Sequence, residues 1–237
     1  MDDETATAVA ELRRASESGG DLAGPLLAVL PVSGLSIATM GDLLGSETVS
    51  ATDDVAARLD ELQFDLGEGP CWDALVERRP VLEPDLRSAP ERLWPAFSRA
   101  LDDVPIGALF AFPLMLGPLA LGAMDLYSGG AHVLSDRHSR RASELAQEVS
   151  RHLLRRAVSE VADDHLQEAT ADRFSRRRVH QATGMVLAQV GISPDDAELL
   201  IQGHAFARGV SMREVAEDVL AGRLSFATRP SGIEETP

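Results

Sequence analysis

Three stretches of helical spacing stand between residues 173 and 226, separated by two breaks. Apolar residues recur three and four apart at Val179, Ala182 and Val186, then at Leu200, Ile201 and Ala205, then at Met212, Val215, Ala216 and Val219. That spacing gives each segment one face to bury. At the first break Gly191 supplies the left-handed conformation that ends a helix, and Ser193 offers an N-cap oxygen. Pro194 suits the first helical position, and Asp195 and Asp196 complement the helix dipole. At the second break Gly209 stops the chain, and Ser211 with Glu214 spells a capping box. The pattern predicts a three-helix bundle over 173–226. The polar stretch 227–237 is expected to be disordered.

Upstream the pattern mixes two periods. Residues 1–19 read as an N-terminal helix with its acids early and Arg13 and Arg14 late, as the dipole favours. A short apolar helix over 26–30 comes next. Strands follow at 34–40 and 47–51, then a helix over 54–64 with Thr52 or Asp53 as cap and Val55, Leu59 and Leu62 on its apolar side. A tight turn over 66–71 opens another helix, a brief strand holds Val81 and Leu82, and 93–101 is helical. The clearest strand pair is 107–116 with 119–127 around a Gly117-Pro118 turn, and Pro113 predicts a bulge or an edge there. The order predicts an α+β fold over 20–157, an antiparallel sheet with helices packed on it. Between Ala131 and Thr183 there is neither Gly nor Pro. This run predicts a long helix with a break near Asp163-Asp164, carrying Leu145, Val149 and Leu153 on one face and Val158, Val161, His165 and Leu166 beyond them. Its apolar seam, continued by the helical connector 158–172, reads as the face that pairs with a second chain, so a homodimer is expected.

Charge divides the chain in the same place. Of 38 acidic and 22 basic residues, 30 and 14 fall in 1–172, while the bundle stretch up to Leu224 holds six acidic and seven basic groups. The N-terminal part should repel nucleic acid and anionic membrane, so any RNA contact belongs to the bundle. A single Cys excludes an internal disulfide framework and suits a reducing cytoplasm, and no apolar run is long enough to span a bilayer. A cytoplasmic protein without membrane contact is expected.

Candidate chemistry is sparse. Cys71 follows Pro70 at a helix start, where the dipole lowers a thiol pKa, and it shares its turn with Glu68 and Trp72. These three are the candidate ligand contacts, against the alternative that the thiol simply fills the turn. The Gly67-Glu68-Gly69-Pro70 turn lacks the spacing of a phosphate loop. His132, His138, His152, His165, His180 and His204 have no zinc-site spacing, and nothing ties a Ser-His-Asp or Cys-His set together. No catalytic residue, metal or cofactor is expected, and the chain does not read as an enzyme.

The order Arg178-Val179-x-Gln181-Ala182-x-Gly184-Met185, the Ser193-x-x-x-Ala197 after it, then Ala205 and Val215-Ala216, resembles an ANTAR domain. The resemblance implies an RNA-binding module of a bacterial antitermination regulator, whose dimers bind paired stem-loops in a nascent transcript and prevent a terminator from forming. It places Arg176, Arg177, Arg178 and Arg208 against phosphates or base edges, and Gln181 and His204 against loop bases. Likewise LDELQFDLGEGPC with FPLMLGPLALGAMDLYS is similar to the GAF domains that precede ANTAR modules. That implies a sensor over 20–157 that binds a small ligand or an upstream signalling protein, with any small ligand between the sheet and Glu68–Trp72. A bundle charge of +1 leaves a second reading open, a dimeric sensor that works through protein contacts.

Overall fold

A computed structural model of the chain describes residues 3–17, 20–40, 44–88, 93–102, 104–162, 176–229 and 232–236. The chain divides into two compact units, Met1–Phe174 and Ser175–Pro237. The first holds the α+β elements and the second the bundle.

The first unit is built on β1 (Gly34–Thr39), β2 (Glu47–Ala51), β3 (Val81–Glu83), β4 (Ala108–Leu116) and β5 (Leu119–Ser128). They form one antiparallel sheet in the order β2-β1-β5-β4-β3. The last strand therefore lies at the centre beside the first, and every residue from Leu121 to Ser128 is buried. Gly122 marks the tightest approach: a Cβ there would stand 1.9 Å from the Ala38 carbonyl oxygen.

Alternation along β4 sorts the two helical layers. Phe110, Phe112 and Leu114 face α1 (Asp3–Glu17), α2 (Ala23–Leu27) and α6 (Asp136–Ala162), where Leu12, Leu26, Leu145 and Val149 are fully buried with them. Leu109 and Ala111 face the other way, towards α3 (Asp54–Leu66), α4 (Pro70–Glu77) and α5 (Pro95–Ala100), with Leu59, Trp94, Phe97 and Cys71. Asp53 is the cap of α3, accepting from the Ala56 amide at 2.8 Å, and Gly67 in the left-handed conformation ends it. Pro113 sits where the sequence places a bulge or an edge. The register shifts between Leu114 and Met115, and β3 pairs only with Leu109–Ala111, so β4 is unpaired on that side at Pro113 among the described residues.

Two expectations are overturned. The seam Leu145, Val149 and Leu153 does not face a second chain but packs on the chain's own sheet, in one cluster with Phe110 and Phe112. Periodicity marks a buried face without saying what buries it, and the aromatic face of β4 reaches these leucines first. Only further along does α6 expose an apolar side chain, Val158 at 62%. The rest of the connector, 163–172 with His165 and Leu166, lies outside the described residues, as does Arg173. The second correction concerns the stretch after Phe226. It is not disordered: β6 (Ser225–Arg229) and β7 (Gly232–Thr236) pair as an antiparallel hairpin. Buried Phe226 ties the hairpin down, and its amide donates to Gln189 Oε1 at 2.9 Å.

The second unit carries α7 (Arg177–Val190), α8 (Pro194–Arg208) and α9 (Met212–Leu220) before that hairpin. Both breaks have their expected chemistry. Gly191 and Gly209 take φ of 71° and 66°, Ser193 accepts from the Asp196 amide at 3.1 Å, and Ser211 and Glu214 close a reciprocal capping box. Val179, Ala182 and Val186 meet Ala197, Ile201 and Ala205 of α8 and Met212, Val215, Ala216 and Val219 of α9 in the buried interior.

Candidate nucleic-acid interface and sensor face

Consecutive helix residues point about 100° apart, so three neighbouring arginines cannot share one outlook. Arg176, just before α7, is turned inward at 6% exposure, which takes it off the surface a polyanion would meet. Arg177, Arg178 and Gln181 are exposed, and beyond them Gly184 and Met185 continue the open side of α7. A Cβ on Gly184 would meet nothing within 4 Å, so this glycine does not serve packing inside the bundle.

The folded bundle gathers arginines that lie far apart in sequence. Arg178 of α7 stands 3.9 Å from Glu217, which also receives Arg213 at 3.5 Å. Arg208, at the end of α8, lies 3.7 Å from Asp218, whose carboxylate also holds Arg223 at 2.8 Å. Four guanidinium groups thus surround two adjacent carboxylates on α9. These pairs are half-exposed and hold their partners weakly. Arg213 and Arg223 were not among the candidates chosen from sequence; their only signal was that a helix α9 would carry acids at 217 and 218 between them.

His204 is partly covered. Its ring meets Phe226 edge-on, 5.8 Å between centroids at 89°, and its Nε2 lies 3.4 Å from Arg208 Nη1. Its aromatic partner in this structure is therefore Phe226, the last residue of the expected bundle, which here belongs to β6. On α8, Leu199 and Phe206 are each 63% exposed, two turns apart on one side of the helix.

On the sensor face, each candidate ligand contact has a local occupation. The Glu68 carboxylate accepts from the Ala96 and Phe97 amides, the latter at 2.7 Å, and so caps α5. Cys71 is buried, and its amide donates to Gln63 Oε1 at 2.8 Å. Trp72 Nε1 donates to the Gln63 carbonyl at 2.7 Å, while the Gln63 amide nitrogen donates to the buried Asp125 carboxylate. Gln63 thus bridges the sheet and the Glu68–Trp72 turn, the region where a ligand is expected. Among the described residues no group of His, Cys, Asp and Glu is placed to hold a metal ion, and no helix is long and apolar enough to cross a membrane.

Comparison with known proteins matches residues 22–153 to the family model of the GAF domain and residues 164–220 to that of the ANTAR domain. Among solved structures, the GAF domain of a phosphoenolpyruvate-protein phosphotransferase from Coxiella burnetii is 13% identical, with 67% of this chain and 97% of that one covered and a TM-score of 0.48. Free methionine-R-sulfoxide reductase from Neisseria meningitidis is 12% identical over 68% and 95%, with a TM-score of 0.47. The GAF domain of the Acinetobacter phosphoenolpyruvate-protein phosphotransferase is 8% identical over 70% and 100%, with a TM-score of 0.46. No curated protein matches the chain.

Proposed function

We propose, for a chain that belongs to the GAF-domain family and carries an ANTAR domain behind its GAF domain, a cytoplasmic regulator whose bundle binds paired stem-loops in nascent RNA. The GAF domain senses a ligand or an upstream protein, and binding rather than catalysis is its output. Two chains pair, each bundle engages one stem-loop, and linkage raises the effective concentration for the second loop. The observation that carries this reading is the gathering of Arg178, Arg208, Arg213 and Arg223 around Glu217 and Asp218, all but Arg223 within the segment that matches an ANTAR domain. Such half-exposed pairs exchange a carboxylate for a phosphate at little cost, and Arg177 and Gln181 lie on α7 beside Arg178.

The test is binding to a paired stem-loop RNA across a salt titration. Removing one arginine–phosphate pair should make the slope of log affinity against log salt shallower by about 0.7 to 0.9, so Arg178→Ala should weaken binding and flatten the slope. Glu217→Gln releases Arg178 and Arg213 together and should tighten binding. Equal slopes for wild type and Arg178→Ala would end the RNA reading.

A second reading, regulation through protein contacts, is favoured by the exposed Leu199 and Phe206 on α8. Under it, Phe206→Ser abolishes partner binding and RNA affinity stays negligible in every variant.

A further inference from the structure

The GAF domain has a concave surface on the side of the sheet opposite Gln63 and Cys71. Pro80 stops β3 before it can follow β4 past Ala111, and the strand then runs beside α6 with its outer edge unpaired among the described residues. Between them lies a groove of about 420 Å³, within the size range of small-molecule sites. Met115 and Leu116 give it an apolar floor, while Ser143 and Gln147 of α6 add a hydroxyl and an amide. Arg78, after the end of α4, and Arg151, from α6, also line it.

Three observations give these arginines a meaning beyond surface charge. Arg78 takes φ of 57°, alone among the described non-glycine residues in a positive φ, and its guanidinium donates to the Pro118 carbonyl in the β4–β5 turn. The left-handed conformation ends α4, and the bond to Pro118 holds the side chain at the β4–β5 turn, whose Gly117 lines the groove. Second, Arg151 is not neutralised by its neighbour. Glu148, 2.8 Å away, also receives Arg13 at 2.9 Å and Arg155 at 3.6 Å, so one carboxylate answers three guanidinium groups. Third, Pro113 removes one backbone donor from the open edge of β4, which disfavours an added strand as the occupant.

We propose that this groove binds a small organic anion, a carboxylate or phosphate head with an apolar body, between Arg78 and Arg151. The head group takes charge-assisted hydrogen bonds from the two arginines, and the body lies on Met115 and Leu116. A ligand so held ties the sheet edge to α6, the helix that leads out of the GAF domain as far as Ala162. The proposal rests on the sensor reading for this consequence alone; the binding itself does not depend on RNA.

Calorimetric titration of the full chain with phenyl phosphate, phenylacetate and inorganic phosphate tests it. Saturable one-to-one binding of phenyl phosphate or phenylacetate is expected, with inorganic phosphate at least about tenfold weaker, and the tighter of the two organic anions identifies the head group. Arg78→Gly relaxes the left-handed backbone while deleting one guanidinium, so it should stay folded and lose at least about tenfold in affinity. Arg151→Gln leaves Glu148 with Arg13 and Arg155 and should lose as much. Absence of binding by all three probes at about 10 mM overturns the proposal. So does inorganic phosphate binding as tightly as phenyl phosphate, or undiminished binding by Arg78→Gly. The RNA titration is run without these anions, so either reading can fail while the other stands.

Discussion

Gln63 holds three elements of the GAF domain at once. Its amide nitrogen donates to Asp125 of β5, its amide oxygen accepts from the Cys71 amide of α4, and its backbone carbonyl accepts from Trp72 Nε1. Gly69 is glycine partly on its account, since a Cβ there would stand 2.6 Å from Gln63 Cγ. Gln63→Leu fills similar space but takes this partner from a buried carboxylate and a buried amide. It should cost about 2–5 kcal/mol, read from the urea midpoint at unchanged m-value. A second residue-scale effect depends on pH. Burial, with Arg155 and Arg156 close by, pushes the His152 imidazole below its ordinary value, while Glu148 acts weakly the other way. The stability it confers as a neutral ring is complete above about pH 6.5 and declines as the pH falls, because protonation favours the unfolded chain. Glu148, held below the usual carboxylate range chiefly by its hydrogen bond from Arg13, keeps its contribution until the pH passes below about 4. Between about pH 7.5 and about pH 5 the melting temperature should fall, and His152→Gln should flatten that fall.

Helix ends were legible in the sequence because their chemistry is local. Gly191, Ser193, Gly209 and the Ser211–Glu214 box act within one turn of the residues they cap. The place of β5 between β1 and β4 was not legible, since strand order depends on pairings about ninety residues apart. The inward turn of Arg176 and the cover of Phe226 over His204 were hidden for related reasons. A run of arginines does not state its helical phase, and a hairpin with one large apolar residue per strand carries little pattern. Two substitutions probe these elements. Phe226→Ala should remove about 3–5 kcal/mol from the small bundle, enough to unfold much of it while leaving the GAF domain's transition in place, as calorimetry would resolve. Gly122→Ala drives a methyl against the Ala38 carbonyl and should cost more than about 3 kcal/mol in the GAF domain.

For the whole molecule, the inward seam changes what α6 substitutions report. Leu145→Asp with Leu153→Asp buries charge beneath Phe110 and Phe112 and should abolish folding of the first unit, with circular dichroism and sedimentation showing an expanded chain instead of a folded monomer. Pairing of two chains is better probed at the exposed Val158, where Val158→Asp leaves the core intact and should weaken self-association if that stretch contributes.

An open sheet edge is also a template on which another molecule's edge can grow, and β4 offers one past Ala111. Pro113 interrupts that template with a ring that cannot donate, in a strand otherwise made of Ala, Leu, Phe and Met. Seen this way the residue is a gatekeeper against fibril growth. Pro113→Val should leave the monomer folded yet shorten the lag before dye-binding aggregates form on gentle heating, and an unchanged lag would show the edge to be protected by other means.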